Sequence, residues 1–235
     1  MNRSGSRLLT MLGALLFVAA CGLPLYAHAI NAECLRGEDH FEQGRYRAAV
    51  AELDTCLGLI QPPDVEAYVL QMRAVAHHQL GEANEALRDQ LAAHELDRPR
   101  TIWPYLMLAT YYRELHRYEL ALDALAHARR LERKDAGGAD GVAVRLHTGR
   151  TLMALGRYRD AITQFDEALA HGNEHVHALY YRALCREALG ERKRARDDLQ
   201  DVARLSPAEG FVEEEISLKL REYGLTPAPR AQAPR

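Results

Sequence analysis

Along most of the chain, apolar residues recur at the three- and four-residue spacing of one helix face, and each run stops at a helix-breaking position. The breaks fall at Gly44, Gly81, His116, Gly156 and Gly190, at intervals of 37, 35, 40 and 34 residues. A small residue lies inside the run before each break (Gly37, Ala74, Ala109, Gly149, Ala183), and a second lies after it (Ala49, Ala86, Ala121, Ala161, Ala195). Small residues that face each other let two antiparallel helices approach closely. A larger apolar group then follows (Leu53, Leu125, Phe165, Leu199), with Gln90 as the exception, and one turn later come Cys56, Ala93, Ala128, Ala168 and Val202. A period in this range predicts a stack of helical hairpins, each burying its apolar face on its neighbours.

The clearest copy of the pattern reads LHTGRTLMALGRYRDAITQFDEALAHG, from Leu146 to Gly172. Its Gly149, Leu152, Gly156, Tyr158, Ala161, Phe165 and Ala168 stand where the tetratricopeptide repeat has its signature residues, and the chain resembles that family over about residues 30–208. The departures are His116 at a turn, Ala83 and Arg192 in place of an aromatic, and prolines that close only some repeats (Pro62, Pro63, Pro99, Pro207). The resemblance implies an all-α, right-handed superhelical array of about five helix-turn-helix repeats with a C-terminal capping helix. The expected repeats span residues 30–65, 66–100, 101–135, 142–175 and 176–208. Asp64 is expected to cap a helix after the Pro62-Pro63 stop, and Ala136–Gly141 reads as the loosest linker. A capping helix is expected over 209–223, with apolar Phe211, Val212, Ile216, Leu218, Leu220 and Tyr223, and an extended tail over 224–235.

Residues 1–29 do not share the repeat. Arg3 and Arg7 precede an apolar run from Leu8 to Ala20, short for a membrane span and suited to an export signal. Two processing readings stand. Cleavage after Ala27-His28-Ala29 would remove 1–29, whereas Val18-Ala19-Ala20-Cys21-Gly22 resembles a bacterial lipobox, which would remove 1–20 and lipidate Cys21. Either reading places the array outside the cytoplasm, in the periplasm or lipid-anchored to the outer membrane. In such a compartment cysteines form disulfides. Cys34 and Cys56 sit at about equal distances from the turn at Gly44, so a bridge between them and two small core residues are both open readings. Cys185 reads as a core residue.

Composition narrows function further. With 48% hydrophobic and 27% charged residues the chain is globular rather than disordered, and a net charge of −3 gives no bulk attraction to nucleic acid. No nucleophile elbow, phosphate loop, zinc-protease helix or acidic metal loop is present, so no catalytic residue, enzyme activity or cofactor is expected. His171, His175 and His177, with Glu174, would offer metal ligands in one loop. The preferred reading of that loop is a polar connection between repeats, and a periplasmic metal-handling accessory is the alternative function. The basic run Arg192-Lys193-Arg194-Ala195-Arg196 opens a helix, where positive charge opposes the macrodipole, and reads chiefly as a solvated face, with an anionic partner or lipid headgroups as the alternative.

In the family resembled, the first helices of successive repeats line a concave groove for a partner's peptide or helix. Carried over by position, that groove takes Tyr68, Gln71, Val75 and His78, then Trp103, Leu106, Thr110 and Arg113, then Leu146, Arg150 and Met153, then His177, Tyr180, Leu184 and Glu187. Aromatic and arginine side chains are favoured at binding hot spots. The expected function is therefore a non-enzymatic scaffold or adaptor of the bacterial cell envelope, holding one or more envelope proteins and touching the membrane only through an N-terminal lipid, if at all.

Overall fold

A computed structural model describes residues 32–59, 62–132, 139–170, 176–205 and 214–226. Residues 1–31, which carry the expected signal and Cys21, lie outside the described residues, as do Gly137-Gly138, His171, His175, Phe211, Val212 and the tail beyond 226. Every regular element among the described residues is an α-helix: α1 (Ala32–Glu42), α2 (Tyr46–Leu57), α3 (Pro63–Gln79), α4 (Ala83–Leu96), α5 (Trp103–Glu114), α6 (Tyr118–Leu131), α7 (Ala139–Ala154), α8 (Tyr158–Ala170), α9 (Val176–Ala188), α10 (Arg192–Leu205) and α11 (Glu214–Glu222). The chain divides into two compact units, Met1–Leu131 and Glu132–Arg235. Unit 1 contains the hairpins α1/α2, α3/α4 and α5/α6; unit 2 contains α7/α8 and α9/α10, followed by α11.

Each hairpin turns through a residue in the left-handed backbone region: Gly44, Gly81, His116, Gly156 and Gly190, with φ between 56° and 80°. The following amide closes back over the helix end, as in Arg45 N to His40 O at 2.8 Å and Arg157 N to Leu152 O at 2.9 Å, which satisfies carbonyls the helix leaves bare. Four of the five positions are glycine, which enters this region without the Cβ clash; His116 accepts the strain and places its Nδ1 2.7 Å from the Tyr118 hydroxyl.

Inside the hairpins the small residues meet the large ones. A Cβ on Gly37 would come 2.6 Å from Leu53 Cδ2, and a Cβ on Gly149 would overlap the Phe165 ring. Leu53 and Phe165 are fully buried, so these two hairpins need glycine where the others carry alanine. The disulfide joins Cys34 to Cys56, with 5.0 Å between their Cα atoms, and ties α1 to α2 beside Phe41. Cys185 is buried in α9, and burial pushes its thiol up to about 12.

Three expectations are corrected. Pro62 is the residue before α3 and Pro63 opens it, so Asp64 lies inside the first turn and the expected boundary at 65/66 cuts a helix. Proline fits the first helical position because its missing N–H has no partner there in any case. Gly141, read as linker, belongs to α7, where its carbonyl accepts a hydrogen bond from Arg145 Nη1 at 2.8 Å. The tail expected from 224 begins with structure: Gly224 is left-handed (φ 66°), and Leu225 N reaches Leu220 O at 2.8 Å.

That last turn changes the meaning of α11. Gly224 follows Gly190 by 34 residues, and Ser217 precedes it by seven, as Ala183 precedes Gly190. The final helix, which covers the last full hairpin as expected, also repeats the first-helix pattern of a hairpin and ends in the same turn. Ile216 and Leu220 are its buried residues.

Candidate partner-binding faces

In unit 1 the first helices lie side by side. Tyr68 of α3 donates its hydroxyl hydrogen to Glu38 of α1 at 2.8 Å, and on the other flank His78 Nε2 stands 2.7 Å from Glu114 of α5. The His78 ring also rests 5.2 Å from Tyr111. Adjacent His77 turns the other way, its Nδ1 2.6 Å from Glu82, so the two histidines serve different contacts. Along this face Tyr68, Gln71, Val75, His78, Trp103 and Arg113 are all half-buried, each showing part of its side chain to solvent. Leu106 departs from the expectation: it is 0% exposed and packs between helices, and Thr110 is buried with its hydroxyl donating to Leu106 O at 2.9 Å.

The buried polar atoms of α5 include Trp103 Nε1 and the Tyr111 hydroxyl, which have no hydrogen-bond partner among the described residues. Burial raises the Tyr111 phenol far above its ordinary value, and the nearby Glu114 and Asp89 charges add to the effect, so it stays protonated.

In unit 2 the corresponding face is partly occupied. Leu146, Arg150 and Met153 of α7 and Leu184 of α9 are half-buried, with the Arg150 guanidinium 4.8 Å above the Tyr181 ring. Tyr180 is 2% exposed and donates to Glu215 of α11 at 2.9 Å. One turn and more along α9, Glu187 accepts from Tyr223 at 2.9 Å and pairs with Lys219 at 2.6 Å. Helix α11 thus lies against the α9 face that was expected to be open, and Tyr180 is removed from any surface. His177 is exposed, whereas His171 and His175 lie outside the described residues; among the described residues no group of three His, Cys, Asp or Glu side chains could hold a metal.

The arginine that precedes the small residue of the first helix escaped the sequence reading. Arg73 grips Asp89 with two bonds, Nε to Oδ2 at 2.6 Å and Nη2 to Oδ1 at 2.7 Å, and its Nη1 reaches back to Asp54 of the preceding hairpin at 2.6 Å. Arg182 repeats the arrangement with Asp198 (3.1 and 2.6 Å) and Asp166 (2.6 Å), and Arg186 adds a third bond to Asp198 at 2.7 Å. Arg36 with Glu52, at 3.0 Å, is an exposed version. In all three the arginine and its acid are 16 residues apart, which is the signal that could have been found; Leu108 with Ala124 and Thr148 with Gln164 hold those places in the other hairpins. These forks fix each first helix to its own partner and, for Arg73 and Arg182, to the hairpin before.

Hairpins with a common left-handed turn, small-on-large packing and side-by-side first helices define a helical-repeat protein. Within it, residues 146–209 match the tetratricopeptide repeat family model. Solved structures agree over a larger part of the chain. A crystal structure of MamA is 17% identical with a TM-score of 0.59, covering 80% of this chain and 97% of that one. A crystal structure of YrrB, described as a TPR protein with an unusual peptide-binding site, is 18% identical with a TM-score of 0.58, covering 89% of this chain and 99% of that one. At such identities the likeness establishes the fold. No curated protein matches the sequence.

Proposed function

We propose that this protein is a non-enzymatic scaffold that holds a partner's peptide segment or helix on the first-helix face of its repeats, outside the cytoplasm of a bacterial cell. The observation that carries this reading is the unit 1 face: Tyr68, Gln71, Val75, His78, Trp103 and Arg113 are half-buried on neighbouring helices, each partly open to solvent, with Tyr68 and His78 held in place by Glu38 and Glu114. Side chains held in this way lose little freedom when a partner arrives, so the ordering cost falls mainly on the partner. Aromatic and arginine groups supply contact area and charge-assisted hydrogen bonds of the kind that dominate interface energies. The peptide-binding description of YrrB, a protein of similar fold, is in keeping with this reading.

Export rests on two supports. The first is the charged-then-apolar pattern of residues 1–29, with either Ala29 or Cys21 marking the mature start. The second is the Cys34–Cys56 disulfide, a bond that persists in oxidising compartments and is rare in reducing ones. An envelope protein would be the natural partner there.

Affinity capture from envelope extracts tests the reading, with the full chain run beside a Gln71→Ala/Trp103→Ala/Arg113→Ala variant whose helicity is checked. A protein retained by the parent and lost by the folded variant supports the scaffold. Equal retention by both removes the unit 1 face from the reading.

A further inference from the structure

Unit 2 carries a cavity of about 510 Å³ between the start of α10 and the end of α11, lined by Glu187, Arg192, Lys193, Arg196, Glu222 and Tyr223. It does not rest on the partner-binding reading: of its lining residues only Glu187 was expected in the groove, and none of its cations was. Its charges are unevenly satisfied. Both acids are already engaged: Lys219 Nζ lies 2.6 Å from Glu187 and 2.9 Å from Glu222, and Tyr223 donates to Glu187. Of the acids adjacent in sequence to the cations, Glu191 pairs with Arg194 at 3.2 Å, and neither Glu191 nor Asp197 lines the cavity. Arg192, Lys193 and Arg196 are exposed and make no hydrogen bond or ion pair with any described residue.

Three cations without a hydrogen bond or ion pair to a described residue therefore border one cavity whose carboxylates are paired with a fourth, Lys219, while the Arg192 charge also acts on Glu187. Counting Lys219 with them, four positive and two negative side chains leave a local excess of positive charge. We propose that this cavity binds the phosphate group of a phosphate ester, with Arg192 and Arg196 gripping its oxygens and Lys193 supplying a further charge. Two guanidinium forks and an ammonium match a group with several anionic oxygens better than a single carboxylate, which one arginine would satisfy. The volume lies in the range of small-molecule sites, leaving room beside the Tyr223 ring for the ester's remaining part. The ester is either a soluble one or a phospholipid headgroup, and both present the same oxygens.

The full chain is titrated with inorganic phosphate at constant ionic strength, and separately mixed with phosphatidylcholine vesicles with and without phosphatidylglycerol. Binding of phosphate marks a soluble ester; binding only to the phosphatidylglycerol vesicles marks a headgroup. In either case Arg192→Gln/Arg196→Gln weakens binding at least tenfold, while Arg117→Gln/Arg130→Gln, which removes two exposed arginines of unit 1, leaves it unchanged. The cavity variant keeps or raises its melting temperature, because cations at a helix N-terminus oppose the macrodipole. Lys193→Gln alone, with a smaller loss, decides the matter should the double variant fold poorly. Binding of neither probe overturns the proposal, and so does equal loss in the cavity and control variants.

Discussion

The two units build the same hairpin but finish it differently. In unit 1 the first hairpin has a described neighbour on one side only, and a covalent bond between Cys34 and Cys56 joins its two helices where the arginine fork, Arg36 with Glu52, is exposed. In unit 2 the last full hairpin carries a buried fork, Arg182 and Arg186 on Asp198, and α11 lies against its first helix through Tyr180–Glu215, Glu187–Lys219 and Glu187–Tyr223. The lesson is that a repeat can be secured by a cross-link, by a buried charge network or by a further half-repeat. Its binding face stays open only where the third device is not used: Tyr68 keeps part of its surface and Tyr180 has lost nearly all of it.

The sharpest way to break the comparison is to remove the buried acid. Asp198→Ala leaves Arg182 and Arg186 without their shared partner in a site where Asp198 is 3% exposed, and a buried ion pair broken on one side costs about 3–5 kcal/mol. Glu52→Ala, at the exposed fork, is expected to cost under about 1 kcal/mol. Hydrogen exchange read separately over α9/α10 and α1/α2 checks both, and equal losses in the two variants would show that burial does not set the worth of the fork.

Reduction of the disulfide is the next largest effect. The bond closes a 22-residue separation, for which the chain-entropy estimate is about 3 kcal/mol. Cys34→Ala/Cys56→Ala, or reductant on the parent chain, is expected to release protection in α1 and α2 while unit 2 keeps its own, because repeats pack on nearest neighbours. Protection lost evenly through α7–α10 would contradict that locality.

Much of this was legible in the sequence because it rests on backbone geometry and size. The left-handed turns require glycine or a tolerated substitute, and close helix approach requires small residues opposite large ones, so Gly149 with Phe165 and Gly37 with Leu53 announce themselves. The sixth copy was missed because Ser217 and Gly224 belong to a short, highly charged helix and the turn after it, with no second helix following among the described residues to complete a hairpin. The forks were missed for a different reason. A lone arginine on a helix face reads as solvated, and only its acid 16 residues later shows that it points across the hairpin. Face residues were legible by position but not by exposure: Gln71 and Leu106 hold equivalent places, and the neighbouring side chains decide that one reaches solvent and the other does not.

The smallest predicted effect returns to the one hairpin whose turn is not glycine. His116 holds φ at 56°, a conformation that costs an L-residue with a Cβ about 1–2 kcal/mol, and its Nδ1 contact with the exposed Tyr118 hydroxyl offsets only part of that. His116→Gly removes the clash but adds chain freedom to the unfolded state, so the net gain is expected to be about 0.5–1 kcal/mol, seen as slower exchange in α5 and α6. Tyr118→Phe, which deletes the contact and keeps the strain, should move the same helices in the opposite direction by a similar or smaller amount. If the glycine variant is instead less stable, the histidine contact outweighs the backbone strain, and unit 1 would have a turn held by a side chain where unit 2 relies on glycine at both Gly156 and Gly190.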